Sequence, residues 1–262
     1  MDKPEALKKL IQRYGSRFSR WFFTERSLNN PAVRWAYLVS YGQFKSVFER
    51  KEIAMLKSFI KSGSTVLDIG ANVGWTAKCF AQAVGPEGKV LAFEPDPVVR
   101  KLGLFNTRNL KNVAWFPLAL GAKEEETVFY QNLSNRADNR LHPDIATMPQ
   151  FKRICVSMKS LSQLATQEPE QVKNVSFVKM DVQGSEAGVF EGMRAWLLDL
   201  KSKPVIVFEW WPYGLAKAGS TPKSVLDLVA DLGYHIPDNC AQTVNRADET
   251  DFYENGILIP KS

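Results

Sequence analysis

Several kinds of functional residue are scarce in this chain of 262 residues. Its three cysteines, Cys79, Cys155 and Cys240, are far apart and form no C-x-x-C pair, and it has only two histidines, His142 and His235. This pattern excludes a disulfide scaffold and predicts reduced thiols buried in the interior of a protein from a reducing compartment. It also leaves no cluster of side chains at metal-ligand spacing, so we expect no metal site.

Long apolar runs are missing as well. No stretch approaches the roughly 18 apolar residues of a membrane-spanning helix, and no apolar segment typical of a secretory signal stands near the first residue. We therefore expect a cytoplasmic protein. Apolar residues make up 45% of the chain and charged residues 24%, which is typical of folded proteins and excludes a disordered chain.

Positive charge is also limited, and it is unevenly placed. The net charge is +6, and residues 1–26 hold seven basic against three acidic side chains, which leaves +2 for all the others. A body with so little positive charge is not typical of nucleic-acid binders, so we expect no nucleic-acid partner. Apolar residues within 7–22 recur at spacings of three and four, opposite basic residues, which predicts an amphipathic helix. Such a helix either contacts an anionic membrane, here the inner face of the cell membrane, or packs on the main domain.

The chain divides into a helical arm, placed at residues 1–50, and a domain over residues 51–262. In the domain, short apolar runs alternate with helical patterns, which predicts an α/β fold with a parallel sheet and helices on both faces. The predicted strands are 65–69, 89–93, 113–120, 175–182, 205–208 and 256–260, and the predicted helices between them are 73–84, 97–110, 185–198 and 221–232.

The segment between the two alternating regions breaks the pattern. Residues 127–131 and 153–158 predict a pair of extra strands. Between them, residues 133–152 are rich in Asn, Asp, Arg and Pro and show no period. Because loops of this length in compact domains are often functional, we interpret the segment as an active-site lid.

The most informative segment is Val66–Gly74, with the sequence VLDIGANVG. It predicts a strand that ends in a glycine turn opening a helix, and the next strand ends at Glu94, whose carboxylate can accept both hydroxyls of a ribose. A dinucleotide would need G-x-G-x-x-G, which is absent, and Asp68 would repel its pyrophosphate. The same carboxylate is tolerable beside the cationic sulfonium and amino group of S-adenosylmethionine.

Five motifs together resemble the FkbM-type S-adenosylmethionine-dependent methyltransferases. They are VLDIGANVG (66–74), FEP (93–95), PLALG (117–121), VKMDVQGSE (178–186) and VIVFE (205–209). The resemblance covers about residues 50–260. It implies a class I methyltransferase fold, with a seven-stranded, mostly parallel sheet that has one antiparallel strand.

The resemblance also implies binding roles and an activity. Asp68, Gly70, Asn72 and Gly74 would surround the methionine part of the cofactor, Glu94 would bind the ribose, and Ala119 would lie near the adenine. The implied activity is methyl transfer to a hydroxyl group of a sugar, a glycan or a small natural product.

Two positions depart from the family's pattern. Gln183 stands where many members have a glutamate, so a catalytic carboxylate is not assured there. In residues 134–140, which resemble an S-N-x-G-D-x-R stretch, Ala137 replaces the glycine.

An alcohol acceptor must lose its proton, so a base is expected at the carboxyl ends of the strands. Asp181, Glu186 and Glu209 qualify by position. Because neighbouring carboxylates raise the pKa of one of the pair, we predict that Asp181 is the base and that Glu209 or Glu186 orients the acceptor. Structural roles remain the alternative for all three, above all helix capping for Glu186.

The aromatic run Trp210–Tyr213 either stacks on the acceptor or belongs to the core. It lacks the Asn/Asp-Pro-Pro-aromatic order of many amino-group methyltransferases, which favours oxygen as the acceptor atom. Methyl transfer to another acceptor such as RNA or protein, and a non-catalytic cofactor-binding protein, remain alternatives.

Overall fold

The computed structural model describes residues 27–133, 138–141 and 151–261. The amphipathic segment predicted over residues 7–22 lies outside the described residues. So do Ala137, His142 and most of the predicted lid.

A six-stranded sheet forms the centre of the molecule, with the strand order β3-β2-β1-β7-β8-β9. Its members are β1 (Thr65–Ile69), β2 (Lys89–Phe93), β3 (Val113–Phe116), β7 (Val175–Met180), β8 (Val205–Trp210) and β9 (Glu254–Leu258). All neighbouring pairs are parallel except β8 and β9, which are antiparallel. The described residues thus confirm the mostly parallel sheet with one antiparallel strand, but give it six strands instead of the expected seven.

A smaller sheet has three strands in the order β4-β6-β5, namely β4 (Ala119–Leu120), β5 (Glu125–Asn132) and β6 (Phe151–Lys159). The antiparallel pair β5–β6 confirms the two extra strands predicted there. The prediction of one strand over residues 113–120 is wrong. Pro117 has no backbone N–H to continue the ladder, and the chain leaves the large sheet at that point to join the small one.

Helices cover both faces of the large sheet, as predicted. They are α1 (Pro31–Phe48), α2 (Arg50–Ser58), α3 (Trp75–Val84), α4 (Pro97–Asn106), α5 (Leu161–Gln167), α6 (Glu186–Asp199), α7 (Pro212–Lys217), α8 (Pro222–Asp231) and α9 (Asp238–Gln242).

Alternate residues of β1 pack on opposite faces of the sheet. Val66 belongs to the apolar cluster that includes Phe80 of α3, whereas Leu67 belongs to the cluster that includes Phe190 and Met193 of α6. Both faces of the strand are buried, and three of its five residues, Val66, Leu67 and Ile69, are apolar. A short, mostly apolar run of this kind is typical of a strand covered on both faces.

Helix α1 comes from the predicted arm and packs beside the glycine turn. Leu38 is buried in one cluster with Val73 and Val99. A Cβ on Gly42 would lie 3.0 Å from Trp75 Cζ3, so the helix backbone lies close to the start of α3. The division between arm and domain at residue 50 stays a prediction.

The three cysteines are free thiols. Burial was predicted for all of them, but only Cys240 is buried, while Cys155 is exposed on β6. Exposure follows from the position of Cys155 on the outward face of the small sheet, where alternate residues of β6 are exposed. Among the described residues, no helix is both long and apolar enough to cross a membrane.

Candidate functional site

The turn after β1 is built from residues with left-handed backbone conformations. Gly70, Asn72 and Gly74 have φ of 76°, 50° and 72°. At Gly70 a side chain is also excluded sterically, since a Cβ would lie 2.0 Å from the backbone oxygen of Asp181. The turn therefore lies directly against the end of β7, and only glycine fits at that contact.

Glu94 ties this turn to the loop after β2. Its Oε2 accepts a hydrogen bond from the backbone N–H of Asn72 at 2.9 Å, and its Oε1 accepts one from Asp96 N–H at 2.9 Å. Burial raises the pKa of Glu94 to about 8, because these two hydrogen bonds only partly offset the loss of water. Two of the residues predicted to bind the cofactor, Asn72 and Glu94, are thus in direct contact.

Asp68 lies beneath the turn and is fully buried. Its Oδ2 accepts a hydrogen bond from Thr76 Oγ1 at 2.7 Å, whereas its Oδ1 has no hydrogen-bond partner among the described residues. Burial raises the pKa of this carboxyl group despite the nearby ammonium of Lys179. A buried acceptor without a donor at this position fits an incoming N–H group.

Sequence reasoning did not single out Lys179, which lies on β7. Its Nζ is 3.3 Å from the backbone oxygen of Gly70, 3.3 Å from Asp181 Oδ2 and 3.8 Å from Asp68 Oδ1. The available signal was a lysine between the apolar residues Val178 and Met180 of a strand predicted to be buried.

Asp181, the first residue after β7, and Glu209, the next-to-last residue of β8, lie close together at the carboxyl ends of these strands. Gln183 Nε2 donates one hydrogen bond to Asp181 Oδ1 and one to Glu209 Oε2, both at 2.8 Å. Gln183 has a φ of 54°. The residue that departs from the family pattern therefore bridges the two candidate carboxylates.

The pKa values of the two carboxyl groups are shifted in opposite directions. Burial acts to raise the pKa of Asp181, but Lys179 and the hydrogen bond from Gln183 outweigh it and lower that pKa. Burial, followed by the charges of Asp181 and Glu186, raises the pKa of Glu209 well above its usual value. A split of this kind was predicted, but its direction makes Glu209 the stronger base.

Glu186 is fully buried at the start of α6. Its Oε1 accepts hydrogen bonds from the backbone N–H groups of Val182 and Gly184, at 3.2 and 3.3 Å. Burial raises its pKa to about 7. These contacts stabilise the turn before α6, whereas the structural alternative considered for Glu186 was a cap of the helix itself.

Residues 138–141, which lie inside the predicted lid, are attached to the site through Asp96. Asn139 Nδ2 donates a hydrogen bond to Asp96 Oδ2 at 2.7 Å. The next residue, Arg140, lies with its guanidinium 4.4 Å from the ring centroid of Trp211. Trp211 is only 6% exposed, so its ring packs against protein and offers little surface to an acceptor.

Helix α1 brings two further side chains to this end of the sheet, Tyr41 and Lys45, which sequence reasoning assigned to the arm. Lys45 Nζ lies 2.5 Å from Glu49 Oε1 and 5.6 Å from the ring centroid of Tyr41. Burial raises the pKa of Tyr41, and the charges of Asp181 and Lys179 also act on it. No pattern within a single helix could have shown this, because the contact depends on how α1 packs.

Ala119 lies in β4 of the small sheet and is 7% exposed. Its position beside an adenine ring stays a prediction. Among the described residues, no group of three or more His, Cys, Asp or Glu side chains is arranged to hold a metal ion.

The residues of this site fit S-adenosylmethionine. Oδ1 of Asp68, which accepts no hydrogen bond from the described residues, is an acceptor for an ammonium group, and the carboxylate of Glu94 has acceptor capacity left for ribose hydroxyls. The left-handed Gly70 and Gly74 lack side chains, so the turn packs closely against Asp181 and Trp115.

Comparisons with protein families agree with this geometry. A model of the methyltransferase FkbM domain matches residues 68–236, which include the turn, Lys179, Asp181 and Glu209. A model of protein-L-isoaspartate(D-aspartate) O-methyltransferase matches residues 16–118, which end before the β7 and β8 carboxylates.

Two curated proteins are similar to parts of the chain. Methyltransferase 1 of Beauveria bassiana is 25% identical over 167 residues, which are 56% of this chain and 66% of that protein. Protein-L-isoaspartate O-methyltransferase of Triticum aestivum is 34% identical over 62 residues, which are 24% of this chain and 26% of that protein. The chain thus spans about a quarter of one relative and just under two thirds of the other.

Two solved structures give weaker likenesses. A SAM-dependent methyltransferase from Aquifex aeolicus shows 16% identity and a TM-score of 0.42, covering 78% of this chain and 87% of that one. Aeropyrum pernix fibrillarin in complex with S-adenosyl-L-methionine shows 15% identity and a TM-score of 0.44, covering 80% and 74%.

Proposed function

Because the chain belongs to the FkbM family of S-adenosylmethionine-dependent methyltransferases, we propose that it transfers the methyl group to a hydroxyl of a sugar, a glycan or a small natural product. The observation that carries this proposal is the bridge from Gln183 to Asp181 and Glu209. It holds two carboxyl groups of different proton affinity beside the glycine turn, and an alcohol needs such a base, whereas transfer to an already ionised acceptor does not.

The glycine turn after β1 and the side chain of Glu94 would bind the cofactor. The carboxylate of Glu94 would accept hydrogen bonds from the ribose hydroxyls, Asp68 would accept one from the amino group, and Ala119 would lie near the adenine. Gly70, Asn72 and Gly74 would shape the backbone around the methionine part. When bound, S-adenosylmethionine supplies an electrophilic methyl group on a cationic sulfur.

Glu209 is proposed as the proton acceptor in place of Asp181. Its raised pKa gives it the higher proton affinity, while Asp181, held ionised beside Lys179, orients the acceptor hydroxyl through a hydrogen bond. Glu209 would take the hydroxyl proton as the acceptor oxygen bonds to the methyl carbon, and the electron pair of the carbon–sulfur bond would leave with the sulfur of the neutral thioether product. Proton transfer to a positioned base typically contributes ~10²–10⁴-fold to rate.

The test is transfer of an isotopically labelled methyl group from S-adenosylmethionine to a panel of glycans and small alcohols, with RNA and protein acceptors alongside. We expect label on a hydroxyl compound. Label only on RNA, on a protein amine or on a protein carboxylate would contradict the proposal. Tight cofactor binding without transfer to any acceptor would support a non-catalytic protein instead.

We further propose a cytoplasmic protein that contacts an anionic membrane through the basic segment of residues 1–26. The charge and apolar period of that segment support the proposal. Co-sedimentation with anionic vesicles should fall when Lys8, Lys9 and Arg13 are changed to Gln, and should not fall for the control Lys223→Gln, which lies on α8. Equal binding of all three proteins would contradict it. The test uses substitutions because deleting residues 1–45 would also remove most of α1.

A further inference from the structure

Lys179 places a positive charge between the two parts of the site. On one side its Nζ contacts the glycine turn, at 3.3 Å from the oxygen of Gly70, and lies 3.8 Å from Asp68. On the other side it lies 3.3 Å from Asp181 Oδ2. One ammonium group therefore contacts both the residues proposed for the cofactor and a carboxylate proposed for the acceptor.

Placing the ammonium group of Lys179 at this position is energetically unfavourable unless its contacts compensate. The Lys179 side chain is only 13% exposed, and removing an ammonium group from water costs several kcal/mol. Its neighbours on β7, Val178 and Met180, are buried and apolar. A cation here also repels the sulfonium that a methyltransferase must bind. An apolar residue would avoid both costs, so the contacts that Lys179 makes with carboxylates must offset them.

The contact with Asp181 decides which of the two carboxyl groups has the higher proton affinity. Gln183 donates to Asp181 and to Glu209, so the two carboxyl groups are close enough that ionising one disfavours ionising the other. Lys179 contacts Asp181 directly, whereas no hydrogen bond or ion pair between Lys179 and Glu209 is formed among the described residues. The nearby ammonium therefore stabilises the negative charge on Asp181 more than that on Glu209.

We propose that Lys179 is a positioning residue that holds Asp181 ionised and thereby leaves Glu209 to receive the acceptor's proton. The inference rests on the proposed function for its chemical consequence, but the link between Lys179 and Asp181 can be measured without turnover.

Other charged groups also act on this pair and must stay constant in the test. Those around Asp181 and Glu209 are Asp68 of β1, Tyr41 and Lys45 of α1, Glu186 of α6, Arg140 of the predicted lid, and Tyr253 before β9. None of them is changed in the variants below.

The experiment is a carboxyl-carbon NMR titration of the full chain labelled at aspartate, with the Asp181 signal assigned by its loss in Asp181→Asn. In the wild type Asp181 should titrate below an ordinary aspartate. Since an opposite charge within about 4–6 Å lowers a carboxyl pKa by about 1–3, Lys179→Met should raise that of Asp181 by at least about 1. Lys179→Arg keeps the charge and should leave it low. An unchanged titration in Lys179→Met would overturn the proposal.

A second measurement covers the case in which Lys179→Met does not fold. Lysine side-chain NMR follows Lys179 in Asp181→Asn, which removes a charge from a carboxylate that is 40% exposed. The Lys179 ammonium should then titrate at lower pH than in the wild type, because Asp181 helps to raise its pKa. If Lys179 titrates identically in Asp181→Asn and in the wild type, the proposal is overturned.

The same variants separate this inference from the proposed function. If the NMR shifts appear but no hydroxyl acceptor is methylated, the function is wrong and the link between Lys179 and Asp181 stands. If hydroxyl methylation occurs but the shifts are absent, the function stands and the role of Lys179 is wrong.

Discussion

The backbone oxygen of Asp181 lies 2.0 Å from the position that a Cβ of Gly70 would occupy. The turn proposed to bind the cofactor and the strand end proposed to bind the acceptor therefore touch through backbone atoms. This contact fixes the distance between the two parts of the site, which matters because methyl transfer depends on alignment of acceptor, methyl group and sulfur.

Gly70→Ala should destroy this contact. Gly63 provides a matched control, since its φ of 74° is close to the 76° of Gly70 but a Cβ there meets nothing within 4 Å. We expect Gly63→Ala to lower the free energy of unfolding by about 1–2 kcal/mol, the cost of a left-handed alanine. Gly70→Ala should lower it further and weaken adenosylhomocysteine binding by more than about tenfold, or ~1.4 kcal/mol. Urea denaturation and calorimetry measure both effects. Equal losses for the two variants would show that turn and strand are not in close contact.

Glu209→Gln should lower kcat by about 10²–10⁴-fold, because the amide cannot accept the proton. Affinity for adenosylhomocysteine should stay within a few-fold. Glu191→Gln on the exposed side of α6 is the control and should leave kcat unchanged. Full activity of Glu209→Gln, together with an inactive Asp181→Asn, would return the role of base to Asp181.

The pH dependence of stability should reflect the buried glutamates. The pKa of Glu94 rises from 4.5 to about 8 on folding, and that of Glu186 rises to about 7. The folded protein therefore binds more protons than the unfolded chain in this range, so the free energy of unfolding should fall as pH rises from about 4.5 toward 8. Urea denaturation at several pH values, without cofactor, measures the slope.

Glu94→Gln tests the origin of that slope. An amide presents only one acceptor oxygen, so one of the two backbone N–H groups of Asn72 and Asp96 loses its partner, at a cost of about 1–3 kcal/mol. The variant should be less stable than the wild type at low pH, and its stability should depend less on pH. A slope equal to that of the wild type would mean that Glu94 does not titrate in this range.

Much of the fold could be predicted from the sequence, because the relevant signals are local. Short apolar runs predicted strands β1 and β2, and the helix predicted over residues 221–232 is observed as α8, where Thr221 caps the helix. Strand 113–120 was wrong because Pro117 interrupts a run that remains apolar on both sides. Pro117 is evident in the sequence, but the sequence does not show that the residues after it pair with a second sheet instead of continuing β3.

The site was predictable only in part. The motifs indicated Asp181, Glu186 and Glu209, but the order of their proton affinities depends on contacts between elements distant in sequence. Lys179 on β7 contacts Gly70, which follows the neighbouring strand β1, and the packing of α1 places Tyr41 near the site. Such contacts leave no periodic signal within a single element.

The type of bond that the transferred methyl group forms tests the account most directly. The labelled product from the full chain, S-adenosylmethionine and the hydroxyl acceptor is treated with mild alkali, which hydrolyses methyl esters and leaves ethers intact. We predict that the label stays on the acceptor, as an ether of a former hydroxyl oxygen, and that Glu209→Gln forms almost none of this product. Release of the label as methanol would show a carboxylate acceptor, for which no base is needed, and would contradict the account.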